Sequence, residues 1–403
     1  MEVTNSKIFP LVSVIVLCYR DFRYVYDAIK SVLEQDYPNI EIVISDDGSN
    51  TFPQQEIDKF VEENRGKNIV SVKINHHEKN VGTVKHLNKA IALTAGEYVI
   101  SLSADDMFYN STVVTKYVNG LKKHPECDIF MAQIAMYDED MEELEYYFVQ
   151  PHIRDILQGD QQDDALFNEL VQTPCLPSVS TFFKKTFFEK YGNFDEEYDL
   201  VEDWSLHLRV AREHIPIVYL DFPAIKHRSG GISHGNTAGT NSMFYRYLQD
   251  LNRIYRNDVV PYLYRVDSEI AAKVKYRHKQ DQAWIDFHYR DKQAGFLGMI
   301  RYIFTHPVFL FQKLASYTYH QSYGRACKPL LLALIFLYVA PWLTETMNIC
   351  CTRVGMFLSV AELIGPMVNF IGAIWLLFSI IFLLFYGISA IYCNVSEQLG
   401  LYF

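Results

Sequence analysis

"EYVISLSADD", residues 97–106, reads as a β-strand that runs straight into two carboxylates. "IEIVISDDGSN", residues 40–50, repeats the plan: a β-branched run, two aspartates, then glycine and serine. Upstream of both, "VSVIVLCY", residues 12–19, is a continuous apolar run suited to a parallel strand covered on both faces. The intervals between these runs are helical. In "YVYDAIKSVLEQ" Val25, Ile29 and Val32/Leu33 share one face, and a weaker helix passes through Ile57–Phe60. "NIVSVKINHH" is a further strand, and "VGTVKHLNKAIALTAG" is a helix closed by Gly96. Such alternation predicts an α/β fold with a Rossmann-like, mainly parallel sheet flanked by helices. Ligands of such sheets bind beyond the carboxyl ends of the strands, where both aspartate pairs are delivered.

Composition narrows the function classes. Nearly half of the 403 residues are apolar, so global disorder is excluded. A net charge of −11 argues against a nucleic-acid binder, which needs a basic face to neutralise phosphates, and leaves room for a divalent cation. The seven cysteines are scattered and form no CxxC pair, which suits thiols in a reducing compartment. The apolar run Leu11–Cys18 is too short for a signal peptide and reads as a buried strand.

From about Asp128 the pattern becomes irregular. "DEDMEELEYY" reads as a solvated hairpin or helix face, "SVSTFFKK" as a strand and "KYGNFDEEY" as a turn. "SGGISHGNTAGTNS", residues 229–242, has the composition of a mobile loop over a site. Helical, basic and aromatic sequence follows from Phe244 to Arg325, suited to helix packing and lipid-surface contact rather than to RNA. Within it "GFLGMIRYIFTHPVFLFQKL" is amphipathic, with Arg301 and Lys313 placed to meet anionic headgroups. Pro329–Cys351 contains one acid, Glu345, and its strongest part, "LLLALIFLYVAPW", is short for a span, whereas Met367–Cys393 carries no charge at all and is long enough to cross a bilayer. Lys and Arg crowd the stretch before Pro329, which places the large N-terminal region on the cytoplasmic face of the plasma membrane. The expected organisation is a catalytic domain over 1–235, a helical juxtamembrane region over 236–327, and a membrane region over 328–403 with one or two transmembrane helices.

A third acidic pair, Glu202 and Asp203, opens the amphipathic "VEDWSLHLRV". Acids in a first turn complement the helix dipole, so helix capping is one reading of the pair. Adjacent carboxylates nevertheless repel unless a cation or donors satisfy them. Asp105 and Asp106, at a strand end, suit a hard divalent cation such as Mn²⁺ or Mg²⁺ held largely through substrate phosphates. His227, in "IKHRSGG", is a further candidate metal ligand or diphosphate contact, and Arg228 a candidate for the latter.

Taken together, Val12–Tyr19, "DDGSN", "NVGTVKHLNKAI", "GEYVISLSADD" and "FDEEYDLVEDWSLHLR" resemble the inverting family 2 glycosyltransferases of GT-A fold, in order and approximate spacing over residues 8 to 230. That resemblance implies roles. Tyr19 would lie against the nucleotide base and Asp47 would accept a hydrogen bond from it. Asp105 would contact the ribose or donor sugar, and Asp106 would bind the metal that bridges the diphosphate. Lys85 would help hold the nucleotide sugar, Asp203 would be the general base, with Glu202 contacting the acceptor, and Trp204 would form part of the acceptor platform. Two positions depart from the family pattern: Ser103 stands where an acid is frequent, and Lys85 or His86 where an arginine is usual.

The chemistry agrees with these roles. Inversion requires a base to deprotonate the acceptor hydroxyl, and a carboxylate in hydrogen-bond reach is sufficient. A metal ion stabilises charge on the departing nucleoside diphosphate. The resulting expectation is a membrane-anchored transferase that moves a sugar from a nucleotide-diphosphate donor, most often a UDP-sugar, to a lipid-linked saccharide acceptor of a bacterial capsule, exopolysaccharide or O-antigen. A polyprenyl-phosphate sugar synthase is the nearest enzymatic alternative, and a non-catalytic membrane scaffold the rival from another class. A processive synthase would carry a QxxRW-type motif and more spans, and neither is found.

Overall fold

A computed structural model describes residues 9–159, 162–229 and 242–285. The N-terminal part follows the β/α alternation: β1 (Val12–Cys18), α1 (Val25–Leu33), β2 (Ile40–Asp46), α2 (Gln54–Asn64), β3 (Ile69–His76), α3 (Thr83–Leu93) and β4 (Tyr98–Ser103). Period-2 alternation between two covered faces explains why β1 and β2 are mostly apolar and buried almost throughout. Val12, Val14 and Val16 face a core shared with Ile29 and Val32 of α1, while Ile15 and Val43 face another shared with Val84 and Leu87 of α3. Both faces are covered, and burying each such side chain is worth about 1.5–3 kcal/mol.

Downstream come β5 (Met107–Phe108), α4 (Val113–Lys123), β6 (Ile129–Tyr137), β7 (Leu144–Tyr147), α5 (Pro151–Gln158), α6 (Gln162–Leu170), β8 (Thr181–Lys184), α7 (Thr186–Tyr191), α8 (Asp203–Arg212) and β9 (Ile217–Arg228). The acidic run is the β6–β7 hairpin, and β7 is exposed along its length. Beyond residue 241 come α9 (Ser242–Ile254), a π-helical and a 3₁₀ segment over 255–265, and α10 (Ser268–Ile285).

The described residues form one sheet of order β3-β2-β1-β4-β8-β6-β9-β5, with β7 on β6. It is parallel through β3, β2, β1 and β4, as the alternation predicts. Beyond β4 the sheet is mixed: β8 runs antiparallel to both β4 and β6, and β5 antiparallel to β9. The mainly parallel description therefore holds without exception for the N-terminal half only; downstream β6 and β9 still pair in parallel, but β8 is inserted antiparallel between β4 and β6, and β7 returns on β6 as a hairpin.

The expected domain boundary near 235 does not end the compact unit. Tyr247, Leu251 and Ile254 of α9 pack on the core that holds Trp204 and Leu208 of α8. Among the described residues no helix is long and apolar enough to cross a membrane. The segments expected to do so, the amphipathic stretch before them and most of the glycine-rich loop lie outside the described residues.

Candidate active site

Strand register brings the first two acidic motifs together. Cys18 pairs with Asp46 and Leu17 with Ser103, so β1, β2 and β4 end side by side and present Tyr19, Asp47 and Asp105 at one edge. Gly48, at φ +74°, makes the turn after β2; a Cβ there would stand 2.3 Å from the Lys79 backbone. That close approach delivers Asp47 to the turn before α3. Its carboxylate accepts hydrogen bonds from Asn80 Nδ2 at 2.7 Å, Val81 N at 2.8 Å and Gly82 N at 3.1 Å. Burial lifts its proton affinity above the usual aspartate range, against the pull of the Val81 and Gly82 N–H groups. Tyr19 is half-buried, with the Arg20 guanidinium 4.8 Å from its ring centre.

Asp105 and Asp106 differ in access. β5 pairs with the end of β9, which sets His227 and Arg228 beside them. Asp106 is fully buried; its Oδ1 lies 2.9 Å from His227 Nδ1 and accepts the Arg228 N–H at 3.2 Å, while its Oδ2 is buried with no hydrogen-bond partner. Asp105 is the acid that lines the cavity, and burial together with the neighbouring Asp106 charge pushes its pKa up to about 6. Burial alone would lower the His227 imidazole, but the two aspartates outweigh it and its pKa is raised. The Arg228 guanidinium stacks on Tyr24 at 3.5 Å and its Nε donates to the Asp105 carbonyl at 3.3 Å.

The third pair opens α8. Glu202 holds the N-cap position without a capping hydrogen bond; its Oε1 instead accepts the Ser178 hydroxyl at 2.9 Å. Asp203 Oδ1 accepts the Trp204 N–H at 2.7 Å. Burial raises the proton affinity of both acids, and the Glu202 charge raises that of Asp203 further. Tyr247 of α9 lines the same cavity, and burial, then Asp203 and Glu202, push its phenol up to about 12.

Two expected positions are corrected. Trp204 is 7 % exposed, packs in the core and donates its indole N–H to the Leu170 carbonyl at 2.8 Å, so it presents no platform to an acceptor. Helical periodicity decides this: Trp204 falls on the same apolar face as Leu208. On α3 the cavity is lined by Thr83 and His86, not by Lys85. His86 is bound to Ser45 Oγ at 2.9 Å and burial pulls its pKa down to about 4, so it is neutral near pH 7 and supplies no charge to a diphosphate. The cavity's cations are Arg23, Arg228 and Arg246.

Five contributors were missed in the sequence: Arg23, Ser178, Arg246, Tyr247 and Asp250. Asp250 had a signal. It is the single acid among the bases of "YRYLQDLNRIYR", and it shares a helical face with Tyr247, Leu251 and Ile254, where a charge is costly unless bound.

One cavity of about 730 Å³ is lined by Tyr19, Asp47, Asp105, Ser178, His227, Tyr247 and the Glu202–Asp203 pair among others, while Asp106 and Asp250 are fully buried and do not line it. Strand-end acids facing a second carboxylate pair across a cleft of this size form a candidate active site at the carboxyl edge of the sheet. The family model for glycosyl transferase family 2 matches residues 13–192. An uncharacterized glycosyltransferase of Rickettsia typhi is 30% identical over 236 residues, covering 57% of this chain and 67% of that protein. A poly-beta-1,6-N-acetyl-D-glucosamine synthase of Staphylococcus epidermidis is 25% identical over 205 residues, 49% of this chain and 46% of that protein. The crystal structure of S. aureus TarS 1–349 is 19% identical with a TM-score of 0.47, covering 72% of this chain and 78% of that one. The chain belongs to the family 2 glycosyltransferases, and it is a glycosyltransferase with a mixed α/β, GT-A-like fold.

Proposed function

We propose that this enzyme moves one sugar from a nucleotide-diphosphate donor, a UDP-sugar in the simplest case, to an acceptor hydroxyl with inversion at the anomeric carbon. The observation that carries this reading is the single cavity shared by the strand-end acids Asp47 and Asp105 and the Glu202–Asp203 pair. Tyr19 and Asp47 would receive the nucleoside, and Arg23 and Arg228 would face the diphosphate. Asp203 would take the proton from the acceptor hydroxyl as its oxygen bonds to the anomeric carbon. The bond from that carbon to the diphosphate oxygen breaks, and the nucleoside diphosphate leaves with the electron pair. A raised proton affinity suits a base that works near neutral pH.

Asp105 and the orphaned Oδ2 of Asp106 fit a hard divalent cation, Mn²⁺ or Mg²⁺, while His227 Nδ1 is turned to Asp106 and would hold that carboxylate in place. Such an ion supplies charge neutralisation to the departing diphosphate. Among the described residues no three His, Cys, Asp or Glu side chains gather into a complete cage, so its other ligands would be phosphate oxygens and water.

The uncharged run Met367–Cys393 supports an acceptor at the cytoplasmic membrane face, a lipid-linked saccharide or growing polysaccharide. The polysaccharide-building relative supports the same acceptor class. The test is a screen of nucleotide sugars with membrane extract as acceptor. Expected is acceptor-dependent release of nucleoside diphosphate and a product of inverted configuration. Retained configuration, or no release from any nucleotide sugar, overturns the reading.

A further inference from the structure

The turn that delivers Glu202 and Asp203 is fixed from a helix remote in sequence. The N–H groups of Asp199, Leu200 and Val201 converge on Oδ2 of Asp250 in α9, at 2.8, 2.6 and 3.4 Å. Asp250 is fully buried, and its Oδ1 is ion-paired with Arg253. A carboxylate survives in such a place only where donors satisfy it, and here the donors are the backbone of the segment leading into the acid pair.

The same turn is also held from the start of α3 and by two arginines of α9. The Val84 N–H donates to the Asp199 carbonyl at 3.2 Å. Gly82, at φ +93°, lets the chains approach so closely that a Cβ there would stand 3.1 Å from that carbonyl. Arg246 and Arg253 reach the Asp199 carboxylate at 3.3 and 3.9 Å. Because Gly82 also donates to Asp47, a continuous run of hydrogen-bonded turns joins Asp47, Gly82, Val84, Asp199 and Asp250.

We propose that Asp250 is the positioning residue for the base: by gathering three consecutive N–H groups it sets where α8 begins, and with it where Asp203 stands relative to the donor-side acids. This rests on the reading of Asp203 as the base. Asp250 touches no substrate and acts only through the 199–201 backbone.

Single-turnover transfer and nucleotide affinity are measured on the full chain and on Asp203→Asn, Asp250→Ala and Asp250→Asn. Asp250→Ala should slow transfer by about 10²-fold, the effect of an ångström-scale misplacement, with nucleotide affinity unchanged. Asp250→Asn offers an amide oxygen to the same three N–H groups and should recover transfer to within about tenfold of wild type. Wild-type transfer by Asp250→Ala overturns the proposal, as does an Asn variant as slow as the Ala variant. A loss of nucleotide affinity in step with the rate also overturns it, because that would mark a general disturbance of the fold. If Asp250→Ala is not recovered folded, Arg253→Met frees Oδ1 and should slow transfer at unchanged affinity; an unchanged rate overturns the proposal. Asp203→Asn separates the two readings: full transfer by that variant means the base lies elsewhere, whatever Asp250 does.

Discussion

Asp47 and Asp203 are carboxylates at the same cavity, both shifted toward the protonated form by burial, and they are held in opposite ways. Asp47 has three donors, all from the turn between β3 and α3, the unit that follows its own strand. Asp203 has one side-chain contact to a backbone N–H, that of its neighbour Trp204, and beside it a like charge whose partner Ser178 comes from another loop. At Asp47 the donors offset part of the effect of burial and fix the carboxylate in place, which suits binding. A carboxylate with few donors and a repelling neighbour is suited to taking a proton. The Asp47 end of the cavity is thus built locally, from consecutive β/α units, and the Glu202–Asp203 end from contacts between segments remote in the chain.

The largest expected effect breaks this contrast directly. Asp203→Asn keeps the shape and one acceptor oxygen but cannot take a proton, and should cost about 10²–10⁴-fold in single-turnover transfer. Nucleotide affinity, measured by calorimetry on the same preparation, should be unchanged. Asp47→Asn should do the reverse, weakening nucleotide binding more than it slows the bound complex. Equal effects on rate and affinity for both variants would erase the distinction drawn here.

The next effect lies at Asp105. Asp105→Ala should lose about 10²–10³-fold in turnover, the scale of removing a charge-stabilising group. Chelation by EDTA should match that loss in wild type and Mn²⁺ or Mg²⁺ should reverse it. Full turnover in EDTA would remove the cation from the mechanism. A smaller change joins the two halves: Gly82→Ala forces a side chain into φ +93° against the Asp199 carbonyl. It should destabilise the protein by about 1–3 kcal/mol from the backbone conformation alone, because φ +93° with ψ 154° is open essentially to glycine. Denaturant unfolding measures this, and an unchanged midpoint would show that the Gly82–Asp199 contact relaxes without cost.

The smallest effect is a shift in pH dependence. Asp203 must be ionised to act, so transfer rises with pH through its raised pKa. The Glu202 charge contributes to that raising, so Glu202→Gln should lower the Asp203 pKa and move the acid limb of the rate profile to lower pH. A limb that stays in place would mean that burial alone sets it.

Local pattern carried far along this chain. The apolar runs ending in "SDDG" and "SADD" were legible as strands because period-2 side chains buried on both faces leave little other choice. The sequence by itself therefore determined the parallel half of the sheet, its carboxylate edge and the place of Asp47 and Asp105. Tertiary structure alone decided which of two adjacent acids faces the cavity, with Asp105 open and Asp106 buried under His227. It also turned Trp204 into the core, set His86 rather than Lys85 at the wall, and brought Asp250 and Tyr247 to the acid pair. These outcomes depend on how helices rotate and pack against one another, and contacts between segments remote in sequence leave only a weak trace in local pattern: here, a lone acid on the apolar face of α9.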